Sequence, residues 1–176
     1  MRQVLLFFII FTSFFAVAQN NVYNPLKSKG KLFEYAMFTK APITDVQELI
    51  TKQNQLEFQN LSSENQSVGF TSDDYWVTFR LENSASNEKT YYLETARPVT
   101  DVAYLYQLQN GKITKFSSGD GIAFEDRQVS HRETVFKVQL PQNTVQKFYL
   151  HLKSDGETLN LPLKLYTEED FTESQL

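Results

Sequence analysis

Few side chains in this sequence have the reach to recognise or transform a ligand. Trp76 is the single tryptophan, and Arg80 lies four positions further on, a spacing that puts both on one face of an extended strand. A flat aromatic beside a forked donor suits a sugar. The indole covers the apolar C–H face of the ring, and the guanidinium meets hydroxyls or a carboxylate. The competing reading covers Trp76 with the loop at 84–87 or with the helix near Val46, making a second small core, because large aromatics are mostly buried. A second group, Gly119-Asp120, Arg127 and His131-Arg132, flanks a long loop, and mixed charge at the rim of a scaffold commonly serves binding. Asp120 and Arg127 form a candidate structural clamp through a bidentate pair, which leaves His131 and Arg132 for an anion. The candidate ligand-binding residues are therefore Trp76, Arg80, Arg127, His131 and Arg132, with Arg127 carried in both roles.

Other chemistry finds little support. His131 and His151 are the only histidines, they lie 20 positions apart, and cysteine is absent, so no zinc-ligand spacing is present. The acidic groups at 73–74 and 120–126 do not follow the spacing of a calcium loop and read as solvated turn carboxylates. There is no Gly-x-Ser-x-Gly elbow, phosphate-cradling glycine loop or dinucleotide fingerprint. A triad or a carboxylate pair scattered along the chain leaves no such mark, since its separation is a three-dimensional quantity. The expectation is no catalytic residue, no metal and no cofactor.

These side chains must be positioned by a chain of 176 residues, 41% hydrophobic and 14% aromatic, enough for one globular domain and little more. The formal charge of −4 supplies no basic field for phosphates, so nucleic acid is not an expected partner. Without cysteine, stability must come from packing. Lys31 to Phe38 reads as a first strand. Pro42 opens a short helix, with Thr44 and Gln47 at capping-box spacing and Val46, Leu49 and Ile50 on one face. From Asp74 onward short alternating runs are separated by turn signals, the pattern of an all-β sandwich. Strands are expected at 75–83, 90–95, 101–108, 112–118, 134–140, 146–154 and 159–166, and Asn110-Gly111 is the strongest hairpin signal. Alternation sends Tyr75, Val77, Phe79 and Leu81 inward and Trp76, Thr78 and Arg80 outward. It likewise sends Phe136, Val138 and Leu140 inward, and Phe148, Leu150 and Leu152 inward with Tyr149, His151 and Lys153 outward. Leu159, Leu161, Leu163 and Leu165 share one face. The strand at 101–108 is apolar on both faces, as a strand covered on both sides would be.

The N-terminus reads as an address. Arg2 precedes an apolar run from Val4 to Val17, which is shorter than the roughly 20 residues that span a bilayer and closes on Ala16-Val17-Ala18. A cleaved signal peptide over 1–18 is expected, followed by a polar lead-in over 19–30, a sandwich over 31–166 and an acidic connector over 167–176.

The run Tyr75-Trp76-Val77-Thr78-Phe79-Arg80-Leu81-Glu82-Asn83 resembles the type 2 extracellular domain of bacterial seven-transmembrane receptors with diverse intracellular signalling modules (7TMR-DISM). Gly119-Asp120 followed by Phe124 and Arg127, His131-Arg132 leading into Val135-Phe136, Phe148 to Leu152, and Leu161-Pro162-Leu163 continue the resemblance in order, over roughly residues 31–171. His151 departs from it, standing where arginine is more frequent. The resemblance implies a jelly-roll-like β-sandwich similar to carbohydrate-binding modules, outside the inner membrane and feeding a seven-helix region with a cytoplasmic output. It makes residues 167–176 the juxtamembrane connector, and membrane attachment would run through a transmembrane region beyond it.

The function expected on these grounds is that of a noncatalytic periplasmic domain sensing a small ligand, plausible as a saccharide. The alternative is an interaction module that pairs with itself as a homodimer or with a periplasmic protein, which an exposed apolar patch around Trp76 and Tyr149 would support.

Overall fold

The structure, a computed structural model, describes residues 21–97 and 99–175; the expected signal peptide lies outside the described residues. Among these described residues eleven strands form two layers. The first layer is a six-stranded antiparallel sheet built from β1 (Met37–Lys40), β2 (Gln59–Asn60), β4 (Tyr75–Asn83), β6 (Val102–Gln109), β7 (Lys112–Ser118) and β9 (Thr144–Lys153), in the order β2-β1-β4-β9-β6-β7. The second holds β3 (Asn65–Phe70) paired with β10 (Thr158–Pro162), and β5 (Lys89–Ala96) between β8 (Thr134–Leu140) and β11 (Lys164–Thr167). The chain changes layer from β2 to β3, β3 to β4, β4 to β5, β5 to β6, β7 to β8, β8 to β9 and β9 to β10, which is the winding of a jelly roll.

The alternation of apolar residues explains the main core. On β4 and β9, Val77 opposes Leu150, Phe79 opposes Phe148 and Tyr75 opposes Leu152, and the Phe79 and Phe148 rings stack at 5.2 Å. Ala103 and Leu105 extend this surface across β6. Facing it are Tyr91 and Leu93 of β5, Phe136, Val138 and Leu140 of β8, and Leu159, Leu161 and Leu163. A period of two on both layers leaves one way to bury these residues, and a slip of one position would turn each set to solvent. Asn110 and Gly111 take φ of 50° and 78° and close the β6–β7 hairpin as expected.

Four expectations change. The segment 31–38 is not one strand: Leu32–Tyr35 forms a 3-10 turn and β1 begins at Met37. Helix α1 spans Val46–Lys52 and is capped by Asp45, whose carboxylate accepts from the Glu48 amide at 2.9 Å; a carboxylate one residue after Thr44 caps at least as well. The run 159–166 is split. Pro162 has no N–H to continue the ladder, Leu163 donates to the Glu64 carbonyl instead, and the strand resumes as β11 against β5. Finally, the acidic tail contains a second helix, α2 (Glu168–Ser174), capped by Thr167 through the Asp170 amide.

Candidate functional site

The outward face of the six-stranded sheet carries the predicted pair Trp76 and Arg80, and they meet different fates along β4. Trp76 is fully buried. The segment from Ala41 through α1 folds over it, burying Ala41, Ile43, Val46 and Leu49 against Trp76, Tyr106 and Tyr149 in a second apolar cluster. The indole N–H donates to the Ile43 carbonyl at 2.8 Å, which satisfies its one polar atom in the cluster. Trp76 is thus a core residue and not an open platform; alternation identifies its face, and the helix covers that face. Tyr149 is covered too, so these two residues form no exposed apolar patch. Burial pushes the Tyr106 phenol up to about 12.

His151 lies in the same layer. Its imidazole stacks on Trp76 at 4.4 Å, and Nε2 lies 2.7 Å from the Asp74 carboxylate, whose other oxygen accepts from Lys153 at 3.0 Å. Removal from water holds the His151 pKa below its ordinary value of 6.5, against the opposing pull of the Asp74 hydrogen bond. Its Nδ1 has no partner, so protonation there would leave an unanswered N–H inside the cluster.

Past α1 the face opens. Arg80 is exposed and borders a groove of about 200 Å³ with Asn21, Tyr35, Met37, Thr78 and Lys147. Lys147 stands directly opposite Arg80 across the β4–β9 ladder. Its ammonium lies 4.7 Å from the Tyr149 ring centroid and donates to Gln53 Oε1 at 2.9 Å. Burial first, and the Arg80 charge second, lower the Lys147 pKa.

The loop residues assemble elsewhere, beside the three-stranded sheet. Gly119 takes φ of 111°, and a Cβ there would meet the Asp101 carbonyl at 2.6 Å, so the loop's entry requires glycine. Arg127 acts as a clamp, but its partners differ from the expected one. Its guanidinium donates to the Gly119 carbonyl at 3.1 Å and the Ile122 carbonyl at 3.2 Å, while Asp120 is exposed and anchors the turn through its amide on the Thr100 carbonyl. The two loop carbonyls take up the fork, and the Gly119 carbonyl accepts from the Ile122 amide as well, at 3.2 Å. His131 accepts from the Glu133 amide through Nδ1 at 3.1 Å and lies 5.7 Å from the Phe171 ring of α2. Arg132 points to solvent and pairs with Glu133 at 3.2 Å.

The structure therefore does not gather the five predicted ligand residues into one site. Arg80 lies on the outer face of one sheet, His131 and Arg132 lead into a strand of the other, Arg127 braces a loop, and Trp76 is enclosed. Lys147, Tyr35 and Met37 were not anticipated. Lys147 shares the parity of Tyr149 and His151 and was within reach of the same alternation, whereas Tyr35 and Met37 arrive through the 3-10 turn, which leaves no periodic signal. Among the described residues, no group of three His, Cys, Asp or Glu converges as a metal site, and no helix is long and apolar enough to cross a membrane.

A scan against protein families matches the 7TMR-DISM extracellular 2 model over residues 39–167. The chain belongs to that family, whose members are extracellular domains of membrane receptors. No curated protein sequence matches it. Among solved structures it is similar to TmCBM61 bound to β-1,4-galactotriose, at 10% identity and a TM-score of 0.34 over 76% of this chain and 82% of that one. It is also similar to the PA14 domain of the MpAFP antifreeze protein, at 8% identity and 0.30 over 76% and 80%. A third is the GH31 α-xylosidase of Xanthomonas citri, at 14% identity and 0.31 over 76% and 15%.

Proposed function

We propose that the chain is the noncatalytic, periplasmic input domain of a membrane receptor and that it senses a saccharide, with Arg80 as a contact residue. The observation that carries this reading is the family match across nearly the whole sandwich. Arg80 supports the location, because it is the predicted ligand residue that borders an open groove beside an aromatic wall, Tyr35. Binding there would favour one packing of the domain against its neighbours over another, and that difference in affinity is what a receptor transmits. His131 and Arg132 belong to the same proposal in a different role. Their loop touches α2 through the His131–Phe171 contact, a route from the sandwich to the segment after β11.

The test is thermal unfolding of the purified chain across a panel of neutral and acidic mono- and oligosaccharides. A ligand at 100 times its dissociation constant stabilises by about 2.7 kcal/mol, a readily measured rise in Tm. Such a rise, lost in Arg80→Ala while the variant still unfolds cooperatively, is the expected result. A flat response across the panel would overturn the saccharide reading.

A further inference from the structure

The groove beside Tyr35 is the first of three recesses that follow one another along the lead-in and the 3-10 turn. It shares Asn21 and Tyr35 with a second recess of about 280 Å³, bordered also by Glu34 and Asn60. The Tyr35 ring meets the Tyr23 ring with centroids 5.2 Å apart. Tyr23 in turn forms one wall of a third recess, of about 330 Å³, whose other wall is Tyr166 of β11. Backbone pairing sets this order. Tyr23 lies alongside β4, its amide donating to the Arg80 carbonyl at 3.0 Å and its carbonyl accepting from the Glu82 amide at 2.9 Å, and the 3-10 turn at 32–35 brings Tyr35 back beside it. The third recess therefore lies where the layers meet, with Tyr23 bridged to Leu81 of β4 in one and Tyr166 belonging to β11 in the other. The buried Leu32 and Leu163 form its base.

Every recess has a tyrosine in its lining, and a tyrosine face accepts the C–H side of a sugar ring. The charges at the third recess are already paired, Lys31 with Glu64 at 3.1 Å and Lys164 with Glu94 at 3.2 Å. A charged sugar would have to compete with one partner of each pair. Hydroxyls donate and accept together, so they bond to the ammonium and to the carboxylate without parting them. Three recesses in a row suit a chain of rings rather than one. We propose that they form a single strip that receives a neutral oligosaccharide, with Tyr35, Tyr23 and Tyr166 as successive ring contacts. The inference rests on the saccharide reading and deepens it, by assigning an uncharged, chain-like ligand and extending the site from the groove to β11. The strip ends at Tyr166, whose ring meets Phe171 of α2 with centroids 6.1 Å apart. A ligand that fills all three recesses thus reaches a residue in contact with the second helix, and a monosaccharide in the groove does not.

Isothermal titration of the purified chain with neutral gluco-, galacto-, manno- and xylo-oligosaccharides of one to four units, and with oligogalacturonides of the same lengths, tests it. In at least one neutral series, affinity should rise about tenfold or more from the monosaccharide to the trisaccharide, the worth of added ring contacts, and change little with a fourth unit. Tyr166→Ala should remove about tenfold of that gain while the variant still unfolds cooperatively, and Tyr166→Phe, which keeps the ring, should retain most of it. Lys31 is exposed, so Lys31→Ala probes the third recess without touching the core, and it should weaken the trisaccharide as well. An affinity that is flat from one unit to three, or a gain that survives both Tyr166→Ala and Lys31→Ala, overturns the strip while leaving a sugar in the groove intact. Oligogalacturonides that bind more tightly than every neutral series overturn the uncharged assignment. No binding by any sugar overturns this inference and the saccharide reading together.

Discussion

The indole of Trp76 lies flat on the imidazole of His151, ring centroids 4.4 Å apart and planes within 6° of parallel. The two residues are opposite one another in the β4–β9 ladder, and the Ile43 carbonyl and Asp74 carboxylate hold their outer nitrogens. The stack forms the floor of the second cluster, beneath α1, and makes Trp76 a residue of stability rather than of recognition.

Trp76→Ala should therefore lower stability by about 3 to 5 kcal/mol, as aromatic truncations in packed cores do. Urea unfolding checks this. A loss below about 1 kcal/mol would mean that the α1 segment does not seal the indole from water.

Acidification should weaken the fold through His151. Its native pKa lies below 6.5, so as pH falls through 6.5 the unfolded chain takes up a proton that the folded chain refuses. Stability then declines until the native pKa is reached and levels off below it. Unfolding midpoints measured from pH 7.5 down to 5.5 should decrease, and His151→Gln should flatten that slope. An unchanged slope in the variant would show that another group governs the acid limb.

Asn83 closes the end of β4. Its amide nitrogen donates to the Asn87, Leu140 and Pro141 carbonyls at 2.9, 2.9 and 3.1 Å, and its oxygen accepts from the Ala85 amide. Asn83→Ala should cost about 1 to 3 kcal/mol, the penalty for orphaning buried groups. Asn83→Asp, which turns a donor into an acceptor facing three carbonyls, should cost more. Calorimetric unfolding of the two variants gives the order, and the reverse order would refute the donor role.

Arg127→Lys should loosen the loop without unfolding the sandwich, because an ammonium cannot reproduce the two directed contacts to Gly119 and Ile122. Limited proteolysis should cut faster between residues 120 and 131, while the Tm moves by a degree or two at most. Resistance equal to the wild type would mean that the Gly119 turn alone holds the loop.

Much of the sandwich was legible because burial on one face imposes a period of two. The ranges 75–83, 112–118 and 134–140 match β4, β7 and β8 residue for residue. β3 was not anticipated: Asn65–Phe70 is a polar edge strand whose exposed residues break alternation, and it exists because β10 supplies its ladder. The 3-10 turn at 32–35 was hidden by a run of residues equally at home in a strand. The site was less legible than the fold. Alternation identifies which side chains leave the core but not what lies above them, so Trp76 and Arg80 looked alike until α1 covered one of them. The link between Asp74 and His151 spans 77 positions, and neither residue carries a local sign of the other.

The second helix has a further consequence. No residue of α2 is buried, and seven residues are too few to hold a helix in water unaided. Its ring contacts with the sandwich all pass through Phe171, stacked on Tyr92 at 4.2 Å and flanked by Tyr166 and His131. A pull on the C-terminal side of the helix would strain these Phe171 contacts before it reached the four-residue ladder of β11. Force or torque arriving along the chain after β11 thus falls on one side chain, Phe171, held by Tyr92, Tyr166 and His131.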